Sequence, residues 1–341
     1  MNAAPMNSIL WLVGLCFIVS IVGTYFYRAI SIRKGIIVNP NYRTLHVHPI
    51  PRGGGLVFSQ IFVLIVIILW LMDIVSYEIM MALGVGGGLA SLLGFIDDVA
   101  NIRVFIKLIF QGCLAAWILV WFDGGPVTSV SWLPVWVAWL ISWLLLIWLI
   151  NLYNFMDGVD GMASSGAIYI CVVLASILYI SDGPFYLITL FLLLAASCLG
   201  FLLFNWPPAS IFMGDSGSVF LGYCFGVFIF ATTMNSDVSF WTWLVVLGYF
   251  AGDTTTTTTL RVLTVKKWYG AHRSNAYQNL ARMWGSHMKV TGGVLIYHVI
   301  WLLPLAVWSN LQSEFAPIAA ALALLPSIIW AFRFGPLLSS T

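Results

Sequence analysis

Charged residues are scarce in this sequence. Lys, Arg, Asp and Glu make up 8% of its 341 residues, against roughly 25% in typical soluble domains. Hydrophobic residues make up 61%, and the mean hydropathy is +1.00. The longest polar stretches, residues 28–54 and 261–290, are too short to form a soluble domain. These features exclude water as the solvent for most of the chain and predict a membrane-embedded protein.

The sequence also lacks any cysteine spacing typical of disulfides or metal sites. Its five cysteines fall at unrelated positions inside apolar stretches, where they behave as small apolar residues. No basic residue precedes the first apolar stretch, so we interpret it as a retained anchor and not as a cleavable signal peptide. The net charge of +2 comes from loops beside apolar segments and does not predict a nucleic-acid partner.

Long apolar runs are abundant. A run of about 20 residues can cross a bilayer as a helix, and we predict eleven such spans, packed as one all-α bundle in a single integral-membrane domain over residues 1–341. The predicted spans are 8–27, 55–72, 79–96, 105–121, 131–149, 163–180, 185–204, 217–234, 239–260, 291–309 and 316–332.

The loops between these spans separate charges by sign. If the spans alternate, all 14 basic residues fall on one face. The opposite loops contain six acidic residues and no Lys or Arg: Asp73, Glu78, Asp123, Asp182, Asp237 and Glu314. The positive-inside rule makes the basic face cytoplasmic, which places the N-terminus outside and the C-terminus inside.

Two adjacent carboxylates, Asp97 and Asp98, end the third span, and Arg103 and Lys107 follow them. Carboxylates next to each other at a membrane boundary repel and are costly to desolvate, so they need a cation or a hydrogen-bond donor. A bound cation and a helix end paired with a basic side chain both satisfy this requirement, and the motif alone leaves the two open.

A second polar cluster, residues 151–161, follows the fifth span. Asn154, Asp157 and Asp160 carry oxygens that suit magnesium, sugar hydroxyls or a base edge. Glycine after each aspartate permits close approach of a ligand. The spacing differs from that of a calcium-binding EF-hand loop, so calcium is not favoured. An ordinary turn is the alternative, although it would not need so many polar side chains.

A third segment, residues 205–218, joins the seventh and eighth spans and contains Asn205, Phe212 and Asp215. Asp215 stands among small residues just before an apolar helix, where backbone N–H groups and a carboxylate would face a ligand together. A simple helix cap would use the same residue types.

Two basic loops, residues 43–55 and 268–278, lie on the same predicted face. Arg52 precedes three glycines in the first loop, and His272, Arg273 and Asn275 lie in the second. Arginine and histidine beside a glycine-rich backbone suit phosphate binding, although either loop alone is also an ordinary positive-inside marker. Acidic and basic motifs together on one membrane face indicate phosphoryl transfer with a lipid co-substrate.

These motifs resemble the polyprenyl-phosphate N-acetylhexosamine-1-phosphate transferase family. The resemblance covers almost the whole chain, through segments 49–54, 97–98, 151–161, 212–218 and 272–278. It implies transfer of an N-acetylhexosamine 1-phosphate from a UDP-sugar to undecaprenyl phosphate at the cytoplasmic face of a bacterial inner membrane. It also implies Mg²⁺, with Mn²⁺ as a substitute, and a fold of ten or eleven helices that is frequently dimeric. The last loop is most similar to that of O-antigen-initiating members.

The resemblance further implies roles for individual residues. The implied metal ligands are Asp215 and Asn154; the implied catalytic residues are Asp97, Asp98, Lys107 and Asp157; and the implied substrate-binding residues are Asp160, Asn205, Phe212, Arg52, His272, Arg273 and Asn275. Within these sets, Lys107 and Arg273 would hold the diphosphate, and the loop around His272 would help to select the sugar.

Two departures from the family pattern bear on function. The last loop lacks the three clustered histidines of muramoyl-pentapeptide translocases, which disfavours peptidoglycan synthesis. Asn275 replaces a histidine common in related transferases, and its neutral amide can hydrogen-bond but disfavours an acid-base role at this position. A translocase remains one alternative function, and a transporter is another. Because transporters bury charge near the bilayer midplane, the interfacial acids disfavour that class, with Asp253 as the candidate exception. The sequence leaves GlcNAc, GalNAc, QuiNAc and FucNAc open as donor sugars.

Overall fold

The structure is a computed structural model that describes residues 3–39, 48–129, 132–264 and 274–336. Its α-helices are α1 (Ala3–Lys34), α2 (Gly55–Leu71), α3 (Tyr77–Ile79), α4 (Gly87–Ala100), α5 (Val104–Trp121), α6 (Val135–Phe155), α7 (Met162–Ile180), α8 (Phe185–Asn205), α9 (Asp215–Asn235), α10 (Phe240–Val246), α11 (Gly248–Thr264), α12 (Ala276–Trp284), α13 (His287–Tyr297), α14 (Leu303–Leu311) and α15 (Ala316–Phe334). π-helical turns at Met80–Gly86 and His298–Leu302 join α3 to α4 and α13 to α14, and short 3-10 turns lie at Pro126–Ser129 and Ser313–Phe315.

The multi-pass, all-α prediction is confirmed. Within the described residues, nine helical segments are long and apolar enough to cross a membrane. Two predicted spans differ from these nine: the second forms α2, which has 17 residues, and the ninth is divided at Leu247 into α10 and α11. The count of eleven spans and their orientation therefore stay predictions.

Helix α9 is the centre of the bundle. Every residue from Ser216 to Thr232 is buried. Of the most apolar part of this helix, 89% is buried, more than in any other candidate span of the described chain. A helix that is apolar on all sides is stable when other helices surround it. Here α2, α4 and α6 pack around α9. The N-terminus of α9, at Asp215, therefore lies where several helices meet.

Glycines permit this close packing. A Cβ atom on Gly55 of α2 would lie 2.3 Å from the Cα of Gly217, and one on Gly94 of α4 would lie 2.2 Å from the carbonyl oxygen of Asp215. Small residues at helix contacts let backbones approach closely within a membrane. The chain thus brings α2 and α4 against the first turn of α9.

A two-residue strand pair positions the loop before α2. Strand β1 (Ile37–Val38) pairs antiparallel with β2 (Ile50–Pro51). The carbonyl oxygen of Pro51 accepts the backbone N–H of Phe212 at 2.8 Å, and the carbonyl oxygen of Phe212 accepts the N–H of Gly54 at 3.0 Å. These bonds attach the loop that carries Arg52 to the segment that leads into α9.

The substitution Gly94→Ala is expected to destabilise the protein, because a methyl group at this position would force α4 away from α9. Overpacking of this kind costs about 1–3 kcal/mol. Thermal unfolding of the purified protein in detergent measures the effect.

Gly88→Ala on the same helix is the matched control, since a Cβ atom there would meet its nearest neighbour at 3.7 Å, an ordinary contact. Equal melting temperatures for the Gly94→Ala and Gly88→Ala proteins would contradict the close α4–α9 packing.

Candidate active site

Five charged side chains form a chain of alternating sign at the N-terminus of α9. In order they are Asp98, Arg52, Asp215, Lys107 and Asp97. Arg52 lies 2.8 Å from Asp98 through Nε and 2.9 Å from Asp215 through Nη2. The Nζ atom of Lys107 lies 3.1 Å from Asp215 and also pairs with Asp97. Asp215 is the central member, contacted by both cations. The helix-end pairing that Asp97 and Asp98 required is therefore present, and it extends to a third carboxylate.

Asp98 also caps helix α9. Its two carboxylate oxygens accept the backbone N–H groups of Asp215 at 2.9 Å and Ser216 at 3.1 Å. The residue before the helix, Gly214, has no side chain to perform this role, and its φ of 76° favours glycine. A Cβ atom at Gly214 would lie 2.4 Å from the Asp98 carboxylate. A carboxylate from α4 thus accepts the first two N–H groups of α9 and lies at the positive end of its helix dipole.

Asp97 fixes the turn that leads to Lys107. Its Oδ1 atom accepts the backbone N–H of Ile102 at 2.7 Å, and its other oxygen pairs with Lys107. Helix α4 ends at Ala100, and the next residue, Asn101, adopts a left-handed conformation. These contacts turn the chain so that the first turns of α5 point Lys107 back towards Asp215.

The last turn of α6 adds Asn154 to this cluster, and the loop that follows adds Asp157. Asn154 donates through Nδ2 to the Ser218 hydroxyl at 2.8 Å, which ties the end of α6 to α9. Burial and the nearby carboxylate of Asp215 raise the pKa of Asp157 well above its usual range, against the lowering effect of Arg52. Additional positive charge in this cluster would therefore favour the ionised form of Asp157.

Arg52 experiences the combined field of these acids. Burial alone would lower its pKa, but the carboxylates of Asp98, Asp215 and others raise it above the ordinary value. Arg52 consequently stays charged and joins two carboxylates through different nitrogens, a geometry that suits guanidinium.

The acids outnumber the bases in this cluster. Asp97, Asp98, Asp157 and Asp215 face Arg52 and Lys107, so four acidic groups meet two basic ones. In the described chain, no three His, Cys, Asp or Glu side chains form a ready metal cage. Magnesium usually takes one or two carboxylates, several waters and substrate phosphates. The excess of acids, with the oxygen donors of Asp215 and Asn154, fits such an ion.

A cavity of about 270 Å³ opens beside the cluster. It combines carboxylate, amide, guanidinium and aromatic groups, which suit a ligand with both charged and uncharged parts. Its lining residues are Val38, Arg52, Asn154, Asp157, Gly158, Val159, Asp160, Asn205, Phe212, Gly214, Asp215 and His287. Seven residues named from the sequence thus line one cavity.

Asp160 and Asn205 line this cavity, but protein contacts occupy their polar atoms. Asn205 accepts the backbone N–H of Gly161 at 3.1 Å and donates to the carbonyl oxygen of Ile211 at 3.0 Å. Asp160 accepts the backbone N–H of Ala209 at 3.0 Å. These two side chains therefore hold the loops of the cavity together, in addition to facing its interior.

The second basic loop, residues 268–278, is only partly described. His272 and Arg273 lie outside the described residues. Asn275 is buried at the start of α12 and does not line the cavity in the described chain. Helix α12 nevertheless contacts the end of α6, because the Tyr277 hydroxyl donates to the carbonyl oxygen of Phe155 at 2.6 Å.

Asp253 caps helix α12. Its carboxylate accepts the backbone N–H groups of Ala276 at 3.0 Å and Tyr277 at 3.3 Å, and the Thr257 hydroxyl at 3.1 Å. Asp253, the one acid that the sequence left as a candidate for a transporter, is thus a helix cap. Its burial gives no support to the transporter alternative.

The sequence motifs missed His287. It lines the cavity and places Nδ1 3.0 Å from Oδ1 of Asp160. A signal was present: His287 is one of only five histidines, and it lies in the same long polar stretch, 261–290, as the basic motif.

A sequence model of glycosyl transferase family 4 matches residues 79–233, a range that contains Asp97, Asp98, Lys107, the 151–161 loop and Asp215. A probable undecaprenyl-phosphate N-acetylglucosaminyl 1-phosphate transferase of Bacillus subtilis is 29% identical over 84% of this chain and 81% of its own. A decaprenyl-phosphate N-acetylglucosaminephosphotransferase of Mycolicibacterium smegmatis is 34% identical over 63% of this chain and 58% of its own. A phospho-N-acetylmuramoyl-pentapeptide-transferase of Moorella thermoacetica is 37% identical over 32% of this chain and 35% of its own.

The matched range begins at the last residue of α3, ends in α9, and contains every member of the charged chain except Arg52. Together with the long match to the Bacillus subtilis relative, this agreement between site and sequence supports membership of glycosyl transferase family 4.

Proposed function

We propose that this protein transfers an N-acetylhexosamine 1-phosphate from a UDP-sugar to undecaprenyl phosphate, releasing UMP. The observation that carries the proposal is the alternating chain of Asp98, Arg52, Asp215, Lys107 and Asp97 beside a mixed polar cavity. Two cations close to several carboxylates suit a diphosphate and its counterion. The names of the Bacillus subtilis and Mycolicibacterium smegmatis relatives agree with this reaction class.

In the proposed reaction, an oxygen of the lipid phosphate attacks the sugar-bearing phosphorus of the donor. A new P–O bond forms as the bond to the UMP oxygen breaks, and UMP leaves with that electron pair. Arg52 and Lys107 would stabilise the charge on the diphosphate, and Asp215 would hold both cations in place. A magnesium ion on Asp215 and Asn154 would supply further neutralisation of the leaving group.

A second cavity supports a lipid acceptor. It has a volume of about 430 Å³ and is largely apolar, with Ser142, Thr255 and Thr256 among the exceptions. Its wall includes Leu149 and Leu152 of α6, and Leu152 is two residues before Asn154. An apolar space that reaches the end of α6 suits a prenyl chain whose phosphate is at the charged cluster.

The donor sugar is proposed at the level of an N-acetylhexosamine. The names of two relatives make UDP-GlcNAc the first donor to test, with the GalNAc, QuiNAc and FucNAc types next. The likeness of the 272–278 loop to O-antigen initiators supports a role in starting a lipid-linked surface polysaccharide in the inner membrane. The translocase alternative rests on the Moorella thermoacetica relative, and UDP-MurNAc-pentapeptide in the donor panel tests it.

Asp215→Asn is expected to lower UMP release by a factor on the order of 10² to 10³, because both cations lose their shared partner. The assay uses purified protein, undecaprenyl phosphate, magnesium chloride and the donor panel, and it scores UMP and the lipid product. A chelator should abolish wild-type turnover. The exposed residue Asp237 provides the control, as Asp237→Asn should leave turnover unchanged. Full turnover in the Asp215→Asn protein would refute the assigned site.

Arg52→Lys is expected to lower turnover by roughly tenfold to a hundredfold although it keeps the charge, since an ammonium cannot reproduce the two-nitrogen bridge between Asp98 and Asp215. Steady-state rates with both substrates measure the loss. The exposed residue Arg33 is the matched control, and Arg33→Lys should behave as wild type. Equal rates for the two lysine variants would show that charge alone suffices at position 52.

Asp97→Asn is expected to lose activity to the same extent at pH 6 and pH 8.5. A phosphate monoester has a second pKa of about 6 and is largely ionised at neutral pH, so it needs little help from a base to lose its proton. Asp97 instead holds Lys107 and the N–H of Ile102. Rates across this pH range test the assignment. Recovery of the variant at pH 8.5 alone would establish Asp97 as a general base.

A further inference from the structure

His287 occupies a fixed position at the start of α13. The hydroxyl of Ser286 accepts the backbone N–H of Lys289 at 3.3 Å and so caps the helix. One turn later, the Thr291 hydroxyl donates to the carbonyl oxygen of Asp160 at 2.8 Å. Because His287 and Thr291 are four residues apart, they share one face of α13. That face lies against the loop that carries Asp160.

The contact with Asp160 determines which nitrogen of His287 carries a proton. Nδ1 lies 3.0 Å from Oδ1 of Asp160, whereas the backbone N–H of Asp160 approaches Nδ1 only to 3.5 Å. An ionised carboxylate accepts hydrogen bonds and cannot donate them, so the shorter contact requires a proton on Nδ1. In the neutral imidazole, Nε2 is then a hydrogen-bond acceptor.

Both oxygens of the Asp160 carboxylate contact protein groups. The second oxygen of its carboxylate, Oδ2, is engaged by the backbone N–H of Ala209 at 3.0 Å. The side chain of Asp160 is 3% exposed, whereas that of His287 is 14% exposed and lines the cavity. A buried carboxylate that orients a cavity-facing imidazole is a common way to fix a tautomer.

We propose that His287 is a donor-recognition residue that Asp160 positions. This inference rests on the proposed function, since it assumes that the cavity holds the UDP-sugar. The ligand group that His287 recognises is a hydrogen-bond donor on an uncharged part of the substrate. The N–H of the uracil base and the hydroxyls of ribose or sugar share this chemistry. His287 lies beyond the 79–233 range that matches the family model, so the family match does not assign it.

Two amide substitutions separate the ligand contact from the structural one. His287→Asn places an amide near the position of Nδ1 and keeps the reach to Asp160. His287→Gln places an amide near the position of Nε2 and keeps the reach to the cavity. Binding of UMP and of UDP-GlcNAc to the purified full-length protein is measured by calorimetry in magnesium chloride, together with the KM values of both substrates and the melting temperature. Met288→Ala changes an exposed neighbour and is the control.

The proposal predicts that His287→Asn binds UDP-GlcNAc about tenfold more weakly, as expected for one lost hydrogen bond, while His287→Gln retains most of the affinity. The KM for undecaprenyl phosphate should not change. Loss of UMP affinity to the same extent would assign the contact to the nucleoside, and loss confined to UDP-GlcNAc would assign it to the sugar.

Two results would overturn the proposal. Wild-type affinity in both amide variants would show that His287 makes no ligand contact, and better binding by the Asn variant than by the Gln variant would show that His287 serves only as an anchor for Asp160. Failure of the proposed function is distinguishable from both results, because wild-type protein would then neither bind nor turn over any UDP-sugar of the donor panel.

Discussion

The contact between the Asp98 carboxylate and the first N–H groups of α9 is the interaction on which the rest of the site depends. It satisfies donors that would otherwise be unpaired in a buried location, where each costs about 1–3 kcal/mol. It also fixes Asp215 relative to α4, and Arg52 then has two carboxylates to bridge. Glycine at position 94 allows the two helices to approach closely enough for this contact.

The same arrangement occurs a second time in the bundle. Asp253 of α11 accepts the first two N–H groups of α12, as Asp98 of α4 does for α9. In both cases a buried carboxylate from one helix caps the start of another helix. Each cap lies next to a segment of the candidate site. Helix α12 in turn holds the end of α6 through Tyr277. The two caps give irregular loops a rigid attachment at the end of an apolar bundle.

The charged chain explains how so many ionisable groups lie among apolar helices. Removing one member would leave a neighbour without its partner, which is costly in a site with little water. The excess of acids over bases favours additional positive charge in the site. Burial and the neighbouring carboxylate of Asp215 raise the pKa of Asp157, and a nearby cation would oppose that rise. A cluster of this kind is suited to bind an anionic substrate only together with a cation, which would link binding of the proposed donor to binding of the proposed metal ion.

Composition and the apolar runs determined that this is a helical, multi-pass membrane protein, because a bilayer admits few other solutions for such a chain. The motifs around Arg52, Asp157 and Asp215 also identified most of the cavity. Other assignments depended on contacts between residues far apart in sequence. No local pattern shows that Asp98 caps α9, that protein groups occupy the polar atoms of Asn205, that Asp253 is a cap, or that His287 meets Asp160 across 127 positions. The sequence alone therefore determined the solvent of each segment and the chemical groups available, whereas the tertiary structure decided which groups pair with each other, since pairing depends on the packing of distant helices.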